Sequence, residues 1–280
     1  MNDIQGVTRH ALSHGEIIHA RVEAVYPTIA PGSVTLCHVD GPYGMGKAAW
    51  DKVKDLAAWY RPHIAEWGSI CAPSASVYLW NTAEGWAAIH PEMVAAGWTF
   101  AGLIVWHKMG AHPSRLGAAS ASVWPDVIEV AGHYQRGDAP HTNPGAAECV
   151  WPFDSTNGMR NGERLWSDDT VRRTGGGGRY YDCREPLHPC QKPILFARRI
   201  VEASSRPGDL VFEPFGGTCR IAAACEAIGR YHPEDARRYV CVEMDEDGRD
   251  YIPAVLSALR GEVPSGQAGV QVGLGFAPRP

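Results

Sequence analysis

Pro207-Gly208-Asp209-Leu210-Val211-Phe212-Glu213-Pro214-Phe215-Gly216-Gly217 reads as a turn, a buried strand and a tight glycine bend, and Thr218–Ile228 continues with helical spacing. Glycine lets a backbone approach a ligand closely, and a helix N-terminus presents unpaired amide groups to an anionic group. One strand further on, Tyr239-Val240-Cys241-Val242-Glu243 ends in an acid, the position from which a carboxylate holds ribose hydroxyls in nucleoside-binding α/β folds. An extended dinucleotide would suit the same outline. The bend lacks the Gly-x-Gly-x-x-Gly spacing, however, and Phe215 puts a ring beside the ligand, which suits a compact adenosyl group better.

Outward from this unit, apolar runs at Val34–Val39, Val77–Trp80, Leu103–Trp106 and Val127–Ala131 read as further strands. Helical spacing appears at Glu16–Tyr26, Asp51–Trp67, Ala83–Ala96, Ile194–Ser205 and Asp247–Leu259, with Pro91 expected to break or kink the third of these. Alternating strands and helices predict an α/β fold, a doubly wound, mostly parallel sheet covered on both faces, with ligands at the carboxyl ends of the strands. From about His107 to Leu187 the alternation gives way to Gly, Pro, Ser, Trp and Arg-rich sequence around one strand, which reads as an insertion. The tract Thr174-Gly175-Gly176-Gly177-Gly178-Arg179 follows no strand and precedes no Lys-Ser/Thr, so it reads as a loop and not a phosphate cradle. Gly261–Pro280 is too poor in apolar residues to pack alone and is expected to be mobile or draped on the surface.

The net charge of −5 disfavours indiscriminate binding to polyanions. It is unevenly spread. From Thr156 to Ile200 nine basic residues face five acids, about +4 against about −9 for the rest. The eight cysteines form no Cys-x-x-Cys pair and, with the histidines, no zinc-ligand spacing, so reduced thiols and no metal are expected. The sequence holds no bilayer-length apolar run and does not open on a signal peptide, which makes the cytoplasm the default expectation.

A second cluster lies at the end of the first long strand, in Val39-Asp40-Gly41-Pro42-Tyr43-Gly44. A carboxylate accepts a hydrogen bond from an exocyclic amine, a proline removes a backbone donor while leaving carbonyls to accept, and a tyrosine face stacks on a ring. Together they can grip an amino-bearing base. Asp-Gly and Gly-Pro are also ordinary turn punctuation, and a tyrosine beside them is often packing.

Jointly, the two clusters resemble the S-adenosylmethionine-dependent DNA amino-methyltransferases, which methylate adenine at its 6-amino or cytosine at its 4-amino group. Asp40-Gly41-Pro42-Tyr43 matches the family's Asp-Pro-Pro-Tyr, and His188-Pro189-Cys190-Gln191-Lys192-Pro193 its His-Pro-Thr-Gln-Lys-Pro. Glu213-Pro214-Phe215-Gly216-Gly217 stands for Asp-Pro-Phe-x-Gly-Ser-Gly-Thr. His14-Gly15-Glu16, Ala30-Pro31-Gly32-Ser33-Val34, Trp106-His107-Lys108 and Trp124-Pro125-Asp126-Val127-Ile128-Glu129 match further family segments. The order, catalytic motif first and cofactor motif last, is similar to the permuted β class. Departures are Gly41 for proline, Glu213 for aspartate, Thr218 for serine, Cys219 for the second glycine and Arg220 for threonine.

The resemblance implies a class I methyltransferase fold, with a catalytic half at 1–107, a target-recognition insertion at 108–187, a cofactor half at 188–260 and a tail at 261–280. It implies Asp40, Pro42 and Tyr43 as catalytic, and Lys192, Glu213, Phe215, Gly216, Gly217, Thr218, Arg220 and Glu243 as the cofactor set. Glu16, Lys47, Arg160, Arg172, Arg173 and Arg179 are its substrate contacts. The partner is double-stranded DNA, with a homodimer and a cognate restriction nuclease as further candidates. Aspartate at position 40 tilts the target toward adenine, cytosine at its 4-amino group being the alternative. A non-catalytic DNA-binding relative and a nicotinamide-dependent oxidoreductase are rival readings. Trp151 and Trp166 would fill the gap left by a flipped base or pack the insertion, the second being favoured.

Overall fold

The computed structural model describes residues 6–46, 48–109, 128–142, 148–154, 181–182, 185–186, 192–244 and 252–260. A nine-stranded sheet forms the middle layer. Its strands are β1 (Thr8–Ala11), β2 (Gly15–His19), β3 (Val34–Val39), β4 (Cys71–Asn81), β5 (Thr99–Met109), β6 (Ile128–Arg136), β7 (Val150–Asp154), β10 (Leu210–Glu213) and β11 (Arg238–Glu243); β8 (Tyr181–Asp182) and β9 (Glu185–Pro186) make a separate two-stranded ladder. The order is β1-β2-β11-β10-β3-β4-β6-β5-β7. From β2 to β4 all neighbours are parallel, whereas β6 runs antiparallel to both β4 and β5, and β1 antiparallel to β2.

The central strands alternate between two cores, as strands buried on both sides must. Leu36, Tyr78, Trp80, Val211, Tyr239 and Cys241 face one; Cys37, Val39, Val77, Leu79, Phe212, Val240 and Val242 face the other. The first core is closed by α4 (Ile194–Ser204), α5 (Arg220–Tyr231) and α6 (Ile252–Arg260), the second by α1 (Val22–Val25), α2 (Leu56–Ile70) and α3 (Ala83–Ala95). The crossover β3-α2-β4 therefore lies on one face and β10-α5-β11 on the other. Between β3 and β10 the winding reverses, so the connections that follow these paired strands turn to opposite faces and leave a crevice at their carboxyl ends. At the β1 edge burial lowers the pKa of the His10 imidazole, and the charge of Arg260 at the end of α6 adds to it.

Two expectations change. Glu16–Tyr26 is not one helix but β2, α1 and a 3-10 turn over Tyr26–Thr28. Ile17 and Ile18 face opposite cores, and Gly15 meets Tyr239 so closely that a side chain would lie 2.2 Å from its carbonyl oxygen, so the segment is held as a strand beside β11. Pro91 does not end α3, which runs through it. Pro91 and Ala87, whose carbonyl loses its helical partner, are both exposed, so water can take the vacated bond. The glycine tract 174–179, the tail 261–280 and residues 247–251 of the last expected helix lie outside the described residues.

Candidate active site

Strand β3 delivers Asp40 into the crevice, and the turn after it is held from two sides. The buried Asp51 carboxylate accepts from the amides of Tyr43 and Gly44 at 2.7 and 3.0 Å. The Pro42 carbonyl accepts from the Tyr60 hydroxyl of α2 and from Asn81 Nδ2 at the end of β4, each at 3.2 Å. Gly41 sits in contact with neighbours on two sides. A Cβ there would lie 2.6 Å from the Tyr60 oxygen and 2.9 Å from the Phe215 ring. Glycine at this position, where the family carries proline, is thus a consequence of what α2 and the late bend put beside it.

Lys192, 5 % exposed, enters just before α4 and turns its ammonium onto Asp40 Oδ1 at 2.8 Å, the Tyr43 hydroxyl at 2.9 Å and Glu129 Oε2 at 2.8 Å. An ammonium has three hydrogens, and here three acceptors use them. The Tyr43 hydroxyl also stands 2.9 Å from Asp40 Oδ1 and 3.1 Å from Glu129 Oε2. Lys108 of β5 pairs with the other oxygen of Glu129. Burial works to raise the Glu129 carboxyl, but Lys192 and Lys108 prevail and hold it down at about 2. Burial likewise works against the charge on Lys192, and Asp40 and Glu129 overcome it to raise that ammonium above its ordinary value.

Across the crevice, Glu213 ends β10 and is 2 % exposed. Its Oε2 accepts from the Ile221 amide at 3.3 Å and from the Cys241 thiol at 2.9 Å, and its Oε1 meets His38 Nδ1 at 3.1 Å. Trp80, a donor only, reaches His38 Nε2 at 3.1 Å, so the proton of the imidazole resides on Nδ1 and is donated to Glu213. The glycine bend is close-fitting. A Cβ on Gly216 would meet Cys241 Sγ at 2.7 Å, and the amide of Gly217 donates to Glu243 Oε2. Cys219 adopts φ 52°, the left-handed conformation that glycine takes freely and that explains the family's glycine there.

A cavity of about 170 Å³ joins the two halves. Asp40, Pro42, Tyr43, Lys192, Glu213, Phe215, Gly216, Gly217, Thr218, Arg220 and Glu243 all line it, so every residue expected for catalysis or cofactor stands at one place. Lys192, expected with the cofactor, bonds to the Asp40 side, drawn there by two carboxylates. Glu16 does not join them. It bonds Arg9 at 2.7 Å on β2, three residues before the His19 that pairs with Glu243, about 10 Å down the strand from the crevice edge. Lys47, Arg160, Arg172, Arg173 and Arg179, and Trp166, lie outside the described residues. Trp151 packs: it is buried against Trp80 and Phe196.

Sequence reasoning passed over Glu129, Tyr60, Asn81, His38 and Asp51 as members of the site. The paired signals Lys108 and Glu129 on neighbouring strands could have shown the first. The others act on backbone or on second carboxylates, and nothing in their local sequence marks that.

A profile of a DNA methylase family, that of the N6 and N4 methyltransferases, matches residues 34–252. The DNA adenine methyltransferase YhdJ of Escherichia coli (strain K12) is 27 % identical over 239 residues, covering 80 % of this chain and 78 % of its own. The PvuII DNA methyltransferase, described as cytosine-N4-specific, superposes with TM-score 0.64 at 12 % identity over 90 % of this chain and 95 % of its own. M1.HpyAVI, solved as a complex with SAM, gives 0.58 at 14 % identity over 86 % and 99 %. The residues in hand fit such a cofactor: a bend closed to a side chain at Gly216, an acid one strand later, and a ring at the rim of one cavity. With a class I methyltransferase fold and a match over most of its length, the chain belongs to the family of S-adenosylmethionine-dependent DNA methylases acting on the amino groups of adenine or cytosine.

Proposed function

We propose that this protein methylates the 6-amino group of adenine in double-stranded DNA, with Asp40, Pro42 and Tyr43 as its catalytic turn. The observation that carries this is the shared cavity: the acid-aromatic turn after β3 and the glycine bend after β10 open on the same space. Aspartate at position 40, and a relative described as an adenine enzyme, support adenine as the target.

The adenine amine is a poor nucleophile because its lone pair is delocalised into the ring. Bound S-adenosylmethionine supplies an electrophilic methyl on a positively charged sulfur. Asp40 Oδ1 is occupied by Lys192 and Tyr43, while Oδ2 bonds nothing among the described residues and is the atom that accepts one amine hydrogen. The Pro42 carbonyl already takes two donors, so the carbonyl of Gly41 accepts the second. Two acceptors set in advance favour a tetrahedral nitrogen with its lone pair toward the methyl. The Tyr43 ring, whose hydroxyl is tied down, offers the flipped base a stacking face. Phe215, Gly216, Gly217, Thr218 and Glu243 hold the cofactor, Glu213 positions the bend, and buried Arg220, on the cavity wall, takes the cofactor's carboxylate.

The test is transfer of labelled methyl to unmethylated DNA followed by nucleoside analysis. Label in N6-methyladenine is expected; label in N4-methylcytosine would move the target, and no label in DNA would overturn the reading. Asp40→Ala should lower transfer by about a hundredfold or more while binding cofactor normally by calorimetry. Arg220→Ala should weaken that binding by about tenfold or more. Persistence of the mark in the first variant removes Asp40 from the chemistry, and unchanged affinity in the second removes Arg220 from the carboxylate.

A further inference from the structure

Two residues beyond Tyr43, the turn ends in Gly44-Met45-Gly46, and this tip is unlike the rest of the cavity wall. Met45 is 56 % exposed, the most open large apolar side chain among the described residues, yet it lines the rim of the cavity. Both flanking glycines are left-handed, φ 74° and 68°, and a Cβ at Gly44 would lie 2.9 Å from the Val53 carbonyl oxygen. The tip is nonetheless pinned. Asp51 holds the Tyr43 and Gly44 amides through its carboxylate, and its own carbonyl accepts from the Gly46 amide at 3.2 Å. A fixed turn therefore presents one unbranched apolar side chain to solvent beside the place where a base must enter.

We propose that Met45 is a wedge that enters the base stack of the DNA duplex and fills the space left when the target base swings onto Tyr43. This rests on the methyl-transfer reading above. A base leaving the stack opens a gap that water fills poorly, and apolar side chains, Met among them, serve as inserts between base steps in proteins that unstack DNA. With one residue between them, Met45 and Tyr43 have Cα atoms at most about 7 Å apart, so the departing base and the insert address the same step of the duplex. A slim, flexible thioether adapts to such a gap. The larger candidate, Trp151, is buried against Trp80 and Phe196.

The experiment uses the full-length chain. Sequencing of methylated plasmid from wild-type reactions supplies the recognition site, which is then built into two duplexes, one fully paired and one with an abasic position opposite the target. Met45→Ala should lose about tenfold in kcat/KM on the paired duplex and less than about twofold on the abasic one, where no pair has to be broken. Met45→Leu should recover most of the loss, and cofactor affinity by calorimetry should match wild type. With 2-aminopurine at the target position, the fluorescence rise on binding should shrink in Met45→Ala. Equal activity of wild type and Met45→Ala on paired DNA overturns the wedge alone, as does an equal loss on both duplexes. Wild-type protein that methylates no DNA overturns the methyl-transfer reading and the wedge with it.

Discussion

Position 41 shows how a departure from a family pattern becomes intelligible. Read along the chain, glycine in place of proline only loosens a turn, at a cost of about 0.5–1 kcal/mol in ordering it. In space the turn is clamped through the Pro42 carbonyl, and Gly41 lies too close to Tyr60 and Phe215 to bear a side chain. Gly41→Ala is therefore expected to destabilise the protein by about 1–3 kcal/mol in urea unfolding, the range for overpacking, with a matching loss of methyl transfer. In a cycle with Tyr60→Phe the two changes should be non-additive, since the second removes the nearest clashing atom; strict additivity would free Gly41 from that explanation. That Asp40, Pro42 and Tyr43 stand together at the cavity was legible because they belong to one short turn of residue types suited to gripping a base. Tyr60 and Asn81 were not, because a donor to a backbone carbonyl leaves no mark in its own neighbourhood.

Among the elements, the buried parallel strands were the easiest to read, since both faces demand apolar residues. The β1–β2 hairpin was hidden because Glu16–Tyr26 also satisfies helical spacing, and the burial of Ile17 and Ile18 in opposite cores and the approach of Gly15 to Tyr239 decide for a strand. Strand β6 carries the clearest electrostatic consequence of the topology. Placed antiparallel between β4 and β5, it sets Glu129 against Lys108 and Lys192. A carboxylate held at about 2 contributes stability in full above its ordinary value of 4.5 and loses it as pH falls through that window. The raised Lys192 contributes in full below its ordinary 10.5 and loses only above it, so the cluster stays intact between those limits. Urea midpoints of the wild type should drop between about pH 4.5 and 2, and Glu129→Gln should show a shallower drop over that range. Equal slopes would detach Glu129 from the acid response.

For the whole molecule, charge and fold point to a division of labour. The sheet places the site at its winding reversal, while six of the nine basic residues over 156–200 precede Lys192 in the sequence. If six or more phosphates are neutralised, DNA affinity should fall by about a thousandfold or more between 50 and 200 mM salt. A flat response in filter binding across that range would deny the basic segment a place on the phosphates.

The charge of Arg260, at the end of the last helix, reaches His10 on β1. A chain joined from that helix end to β1 and opened between β5 and β6 is therefore expected to thread the same strands in another sequence order, with Asp40 and the glycine bend still opening on one cavity. Which half is translated first would then be a matter of genetic history.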